Sequence, residues 1–384
     1  MNPASDQTRE SGASSREPVS IVGGGLAGLV VAIACAERGR SAHLYEASEQ
    51  LGGRARNSTG PFIANFGPHA LYEGRANWTW LAERGLLPPT AKPSARGARF
   101  CQRDRVRRTV PLALAKALVR RRLEAPVDED FRTWASSRFG EEAAGMLCGW
   151  AGAFTFDPDP GRLSAAFVWD RFRWIYRPPT IRHILGGWNV LVDALADRAR
   201  ALGVEIETGA RLDDLPGAPV IVATELNAAR KLLAEPGLES TGPKAVLLDV
   251  GLDALRGDPL AVLDLDRGVL VECFRDASFA PEGTQLIQAH LGIAAGSDAD
   301  RGAEQIEEVL DAAYPDWRGR VRWRRRQLAD ERTGAVDLPG RTWRDRPAID
   351  RGSGRYLIGD MVAAPGVLSE VSFSSALDAA RMVC

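Results

Sequence analysis

At 384 residues the chain is long for one compact domain, and 45% hydrophobic with 26% charged residues is the balance of an ordinary globular protein. A formal net charge of -1 gives no global attraction to nucleic acid or anionic lipid, and no apolar run approaches the roughly 20 residues of a bilayer span, so neither nucleic-acid partners nor stable membrane insertion is expected. Cys35, Cys101, Cys148, Cys273 and Cys384 form an odd set without a Cys-x-x-Cys pair, and His43, His69, His183 and His290 lie far apart, which argues against a disulfide framework and any metal site.

Residues 1–17 are rich in Ser, Glu, Asp and Arg and read as a disordered tail rather than a signal peptide, which predicts a cytoplasmic protein. The β-branched run Val19-Ser20-Ile21-Val22 then leads into Gly23-Gly24-Gly25-Leu26-Ala27-Gly28 and an apolar helical stretch over 29–37. Gly23 permits the tight turn, Gly25 lets backbone approach a pyrophosphate, and Gly28 allows the helix to pack closely on the strand. The helix start offers free N–H groups to phosphates, and Leu26 and Ala27, which lead into it, are candidate cofactor-binding residues. A second strand over 42–45 ends in Glu46, placed to accept the hydroxyl protons of an adenosine ribose. Strand, glycine turn, helix and terminal acid together predict dinucleotide binding, without distinguishing FAD from NAD.

The run Leu51-Gly52-Gly53-Arg54-Ala55-Arg56 resembles the Gly-Gly-Arg segment of the flavin amine oxidase and phytoene desaturase superfamily. Ala64-Asn65-Phe66-Gly67-Pro68-His69 looks like that superfamily's loop to the isoalloxazine, and Arg355 to Asp360 with Ala364-Pro365-Gly366-Val367-Leu368 looks like its second FAD motif. The resemblance implies a glutathione-reductase-like α/β fold: a discontinuous FAD-binding Rossmann domain over 18–75, 182–243 and 345–384, and a mixed α+β substrate domain over 76–181 and 244–344. It also implies non-covalent FAD, with Gly53 and Arg54 beside the phosphates, Gly67 under the ring, and Gly359 and Asp360 at the ribityl or pyrophosphate region. Backbone near Val367 and Leu368 would face the pyrimidine end, and Leu212 and Ala223 the adenine side. Glu225 stands where a proline is more usual.

Between these motifs, helical spacing predicts helices over 112–123, 130–139, 141–150, 163–176 and 188–201, and another over 303–313. Strands are expected over 204–207, 220–224, 245–250, 270–274, 286–290 and 321–328. The aromatic residues between Trp150 and Tyr176 read mainly as a helical core, and Arg103 to Arg108 with Arg120 to Arg122 as a solvated face.

Two residues are candidates for chemistry. His69, beside the flavin-facing glycine, is a candidate base or hydrogen-bond donor. Lys244, one of only four lysines, opens a strand similar to the one on which amine oxidases carry a lysine near flavin N5. The expectation is an FAD-dependent dehydrogenase or desaturase-like enzyme for a small, largely apolar molecule, reoxidised by oxygen or a quinone. The alternatives are an amine oxidase and a non-catalytic flavin-binding or escort protein. Substrate and oligomeric state are left open.

Overall fold

A computed structural model describes residues 17–67, 70–94, 97–120, 122–175, 180–238, 242–330 and 333–384. The chain opens as β1 (Val19–Val22), α1 (Leu26–Ala36) and β2 (Ala42–Glu46), and α1 starts three residues earlier than its apolar periodicity suggests, directly at the glycine turn. There follow β3 (Leu71–Tyr72), α2 (Ala76–Glu83), β4 (Thr90–Ala91), and the hairpin of β5 (Ala98–Gln102) and β6 (Arg105–Arg107). The helical part comprises α3 (Leu112–Val119), α4 (Phe131–Phe139), α5 (Glu141–Thr155) and α6 (Ala165–Ile175). The chain returns through β7 (Ile181–Ile184), α7 (Asn189–Ala201), β8 (Glu205–Thr208), β9 (Val220–Val222) and α8 (Leu226–Leu232). It then builds β10 (Lys244–Asp253), β11 (Ala261–Asp264), β12 (Leu270–Phe274), β13 (Thr284–Ile293), α9 (Ala299–Ala313) and β14 (Val321–Ala329), and closes with β15 (Arg355–Leu357) and α10 (Ser369–Val383).

Two main sheets result. The first is five-stranded and parallel, in the order β15-β9-β1-β2-β8, a Rossmann arrangement assembled from the start, middle and end of the chain. Its central strands carry apolar runs such as Val220-Ile221-Val222, all buried, and α1 packs with α7 and α10 against the sheet. The second is mixed and seven-stranded, in the order β14-β10-β13-β12-β11-β5-β6. A small ribbon, β3-β7-β4, lies between them in the chain path. The architecture is therefore α/β, with a parallel Rossmann-like sheet and a second mixed sheet.

The two faces of the long strands differ in kind. Val246, Leu248 and Val250 on β10 and Ile287, Ala289 and Leu291 on β13 are buried in one apolar cluster with Ile306, Val309 and Leu310 of α9. The alternate residues, Asp249, Gln288, His290 and Glu272, point the other way. Burying a polar row is costly unless it is bonded, so this face marks a place where something other than core packing was required. Phe131, Trp134, Trp169 and Phe172 form an aromatic core of α4 and α6 with at most 1% exposure, which is the packing role expected of the aromatic residues in that region. Among the described residues no helix is long and apolar enough to cross a membrane, and no group of three His, Cys, Asp or Glu side chains is placed to hold a metal ion.

Candidate functional site

The glycine turn sits between the carboxyl ends of β1 and β9. A Cβ on Gly28 would lie 1.9 Å from the Gly23 carbonyl oxygen, so glycine is needed there for the helix to meet the strand. At Gly25 the situation is opposite: an added Cβ would meet nothing nearer than the Gly52 oxygen at 4.0 Å. Gly53 and Gly359 likewise face open space, the nearest atom to a Cβ on Gly53 being the Gly25 Cα at 3.6 Å. Leu26 and Ala27 start α1 immediately behind this gap, where unpaired N–H groups and the positive helix end favour phosphate.

Glu46 ends β2 with its carboxylate fixed by two backbone donors, Gly24 N–H to Oε2 at 2.7 Å and Ser48 N–H to Oε1 at 2.8 Å. Each oxygen keeps a lone pair for an outside hydroxyl. The loop after β8 is tied to the same point by Ala210 N–H donating to the Glu46 carbonyl at 2.9 Å, which brings half-buried Leu212 alongside. Ala223 is small for a reason: its carbonyl backs onto Gly23, and its Cβ lies 3.5 Å from a Cβ built on Gly28. Glu225 caps α8 in an extended conformation, so the chain turns into a helix where a proline would have fixed the turn.

Arg54 and Asp360, 306 residues apart, form a bidentate pair with both N–H to O distances at 2.8 Å. With Thr224, Glu225 and Met361 they line an open cleft at the end of the parallel sheet. Val367 donates its N–H to Glu370 Oε2 at 3.0 Å, and Leu368, with φ of 51°, is the N-cap of α10. Glu370 is buried and bonded to Arg75, 2.5 Å from its Nε. Burial nevertheless lifts the Glu370 pKa above the ordinary carboxylate value, against the Arg75 charge.

Gly67 has a φ of 140° and ends a loop held from beneath by the polar face of the second sheet. Asp249, 1% exposed, accepts from Arg325 at 2.7 and 2.9 Å and from Gln288 at 2.9 Å. Arg325 also donates to the carbonyls of Ala64 and Asn65 at 3.0 and 2.8 Å, and its guanidinium lies over Phe66. Asn65 accepts from the Trp188 N–H at 3.2 Å, while Asn57 and Asn189 exchange backbone and side-chain bonds at 3.1 and 2.8 Å. A Cβ on Gly187 would strike the Asn57 side chain at 2.5 Å, which gives the Gly186-Gly187-Trp188 turn its purpose. His183 and Glu272 form a second, half-buried pair at 3.1 Å. Burial opposes ionisation of Glu272, yet His183 holds its pKa below the ordinary value.

The two candidates for chemistry fall differently. His69 lies outside the described residues. Lys244 starts β10 opposite Ile293, 3.3 Å from Asp330, on the side of the strand that packs against α9. The residues that sequence reasoning missed are Asn57, Asn65, Asp249, Gln288 and Arg325, together with Tyr72, Arg171, His183 and Glu272. They belong to segments hundreds of residues apart, and no local motif joins them.

Comparison with known proteins agrees with this geometry. Residues 21–83 match the model of an NAD(P)-binding Rossmann-like domain. No curated protein matches the sequence. Among solved structures, the chain is similar to an oxidoreductase from Methanosarcina mazei, at 18% identity and a TM-score of 0.73 over 94% of this chain and 99% of that one. It is similar to cyclohexylamine oxidase from Brevibacterium oxydans, at 15% identity and 0.69 over 95% and 98%. It is also similar to reduced UDP-galactopyranose mutase, at 13% identity and 0.69 over 96% and 95%. At these identities the likeness shows a shared fold and nothing about activity.

Proposed function

We propose that this chain is an FAD-dependent oxidoreductase that takes a hydride from a small organic substrate. The observation that carries the reading is the open space over Gly25, Gly53 and Gly359, bounded by the start of α1, the fixed Glu46 carboxylate and the Arg54–Asp360 pair. That is the outline of a pyrophosphate with a ribose at one end, and the residues present fit FAD. Glu46 would hold the adenosine ribose, the α1 start and Arg54 the phosphates, Asp360 the ribityl side, and Val367 and Leu368 the pyrimidine end. Bound FAD supplies a two-electron acceptor for a C–H hydride.

The chain's own residues then have positional work. The Arg325–Asp249–Gln288 network fixes the 64–67 loop, so Gly67 presents backbone rather than a side chain to the ring. His69 is the nearest candidate in sequence for a base. Desaturase-like dehydrogenation is preferred to amine oxidation, because the latter reading depends on Lys244 and that lysine is paired with Asp330 on the far side of its strand. Oxygen or a quinone from solution would reoxidise the cofactor.

Purification followed by absorbance spectroscopy tests the cofactor, and anaerobic reduction by candidate substrates tests the enzyme. Stoichiometric, acid-extractable FAD that a substrate bleaches and oxygen or a quinone restores is the expected result. A colourless chain that takes up no added FAD overturns the reading. A bound flavin that no substrate reduces indicates a binding or escort role instead.

A further inference from the structure

Arg171, on α6, is 9% exposed, yet among the described residues no carboxylate lies within ion-pair distance of it. Its guanidinium lies 3.4 Å above the Phe167 ring, and Nη1 donates to the Phe167 carbonyl at 2.8 Å. It makes no other hydrogen bond among the described residues. The carboxylates nearby are already engaged. Glu370 holds Arg75 by both oxygens, at 2.5 and 2.8 Å, and Asp337 holds Arg346 by both, at 2.9 and 3.0 Å. Around Arg171 three guanidiniums thus share two carboxylates, which leaves one buried positive charge over, while Glu272, which reaches Tyr72, is held by His183.

Burial, ahead of repulsion from Arg346, pushes the Arg171 pKa down to about 9. An uncompensated buried charge costs several kcal/mol, so it signals a counter-ion that arrives with something else. Tyr72, on β3, is within electrostatic reach of Arg171, and its hydroxyl has no hydrogen-bond partner among the described residues. Arg75, the N-cap of α2, and Glu370, in the first turn of α10, place this cluster at the junction of the two sheets, beside the α10 start. That position is unlike an ordinary surface arginine, which would sit in water.

We propose that Arg171 and the Tyr72 hydroxyl bind a carboxylate on the substrate, so that the molecule oxidised is an organic acid whose body is apolar. The substrate role rests on the flavin reading above, whereas the anion site itself does not. Stacking on Phe167 engages one face of the guanidinium and the Phe167 carbonyl engages Nη1, so the other N–H groups have no hydrogen-bond partner among the described residues, and a planar fork of this kind matches the two oxygens of a carboxylate. One excess positive charge balances a monoanion; a phosphate dianion would overturn the local charge instead of neutralising it. The phenol supplies a third donor. An apolar substrate body remains compatible with the Phe167 ring beneath the site.

The test is calorimetric titration of the full chain, supplied with FAD, with benzoate, octanoate and the uncharged isostere benzamide. Flavin content is measured separately by absorbance after gel filtration. Benzoate or octanoate should bind to the wild type, and roughly tenfold or more weaker to Arg171→Met, with Arg171→Lys intermediate and Tyr72→Phe weakened less. Benzamide should not distinguish the variants. Circular dichroism checks that Arg171→Met is folded; if it is not, Arg171→Lys and Tyr72→Phe carry the comparison. No carboxylate binding by the wild type at millimolar concentration, or equal binding by the folded variants, overturns the proposal. So does loss of FAD from Arg171→Met with carboxylate binding unchanged, because Arg171 would then serve the flavin. Binding of carboxylates that depends on Arg171 in a chain without flavin sustains the anion site and overturns the flavin reading.

Discussion

Gly25 and Gly28 stand three residues apart in one motif but are glycine for different reasons, and this separates folding from cofactor binding. Gly25 has φ of -77° and ψ of -174°, a conformation open to any residue, and its Cβ would enter empty space. Gly25→Ala should therefore fold with stability unchanged or raised by about 0.4–1 kcal/mol, through the unfolded state, while losing FAD. Gly28→Ala places a Cβ 1.9 Å from a backbone oxygen and should cost at least about 1–3 kcal/mol of stability, as overpacking does. Urea denaturation of the FAD-free proteins and flavin content after gel filtration check both outcomes; a Gly25→Ala protein that retains FAD would contradict the pyrophosphate placement. Glu46→Gln keeps the shape but removes the charge that the ribose hydroxyls would meet. A loss of about 1.5–3 kcal/mol, or roughly 10- to 150-fold in FAD affinity, is expected from fluorescence titration. These residues were legible because the motif is local: turn, helix start and acid lie within 24 positions of Gly23. Arg171 was not, since in an arginine-rich chain nothing in the sequence separates a buried, unpaired arginine from a solvated one.

At the scale of elements, length and periodicity decided what was readable. α7, α9, β10 and β13 carry their patterns over 10 residues or more, and reading the sequence found each, with the ends of the strands falling short. β3 and β4 have two residues each and exist only because β7 pairs with both, which no local window contains. The hairpin of β5 and β6 was hidden by its arginines, Arg105 and Arg107 being outward-facing residues of a sheet edge. α4 is held at its start by Asp130, whose side chain accepts from the Thr133 N–H at 2.9 Å. Asp130→Ala should cost about 1 kcal/mol by urea denaturation and leave flavin content unchanged. The β10–β14 pair supports a sharper prediction. Burial raises the Asp249 pKa, with Arg325 the main opposing charge. A carboxyl with a raised folded pKa binds its proton more tightly when folded, so stability falls as pH climbs from the unfolded value of about 3.9 through the folded one. Arg325→Ala removes the opposing charge and widens that window. Its cost of about 3–5 kcal/mol at pH 8 should shrink as the pH is lowered toward 5; a cost independent of pH would mean that Asp249 stays charged without Arg325.

For the whole molecule, the question is whether two sheets with separate cores unfold together. Rossmann strands come from three stretches of chain and enclose two stretches of the other sheet, so neither core can form without closing loops through its neighbour. The sequence motifs, spread from Gly23 to Leu368, made this discontinuous arrangement legible, but not what fastens the parts. The fastening is polar: Arg325 bonds to the carbonyls of Ala64 and Asn65, and Gln288 reaches the Asn65 carbonyl at 3.1 Å. In such a network the members polarise and hold one another, so removal of Arg325, which makes bonds to Asp249, Ala64 and Asn65, loosens all of it, although its Nη1 has no partner among the described residues. FAD, spanning the gap in front of α1 and reaching toward the 64–67 loop, would load the same junction. Scanning calorimetry should therefore give one transition for the wild type, moved upward as a whole by FAD, with about 2.7 kcal/mol gained at a free concentration of 100 times Kd. In Arg325→Ala the junction is cut on the side of the mixed sheet, and FAD should stabilise only the transition of the parallel sheet, leaving the mixed sheet to melt separately at lower temperature. Two transitions in the wild type, with only one responding to FAD, would show instead that the Asp249 network orients the 64–67 loop without coupling the two sheets.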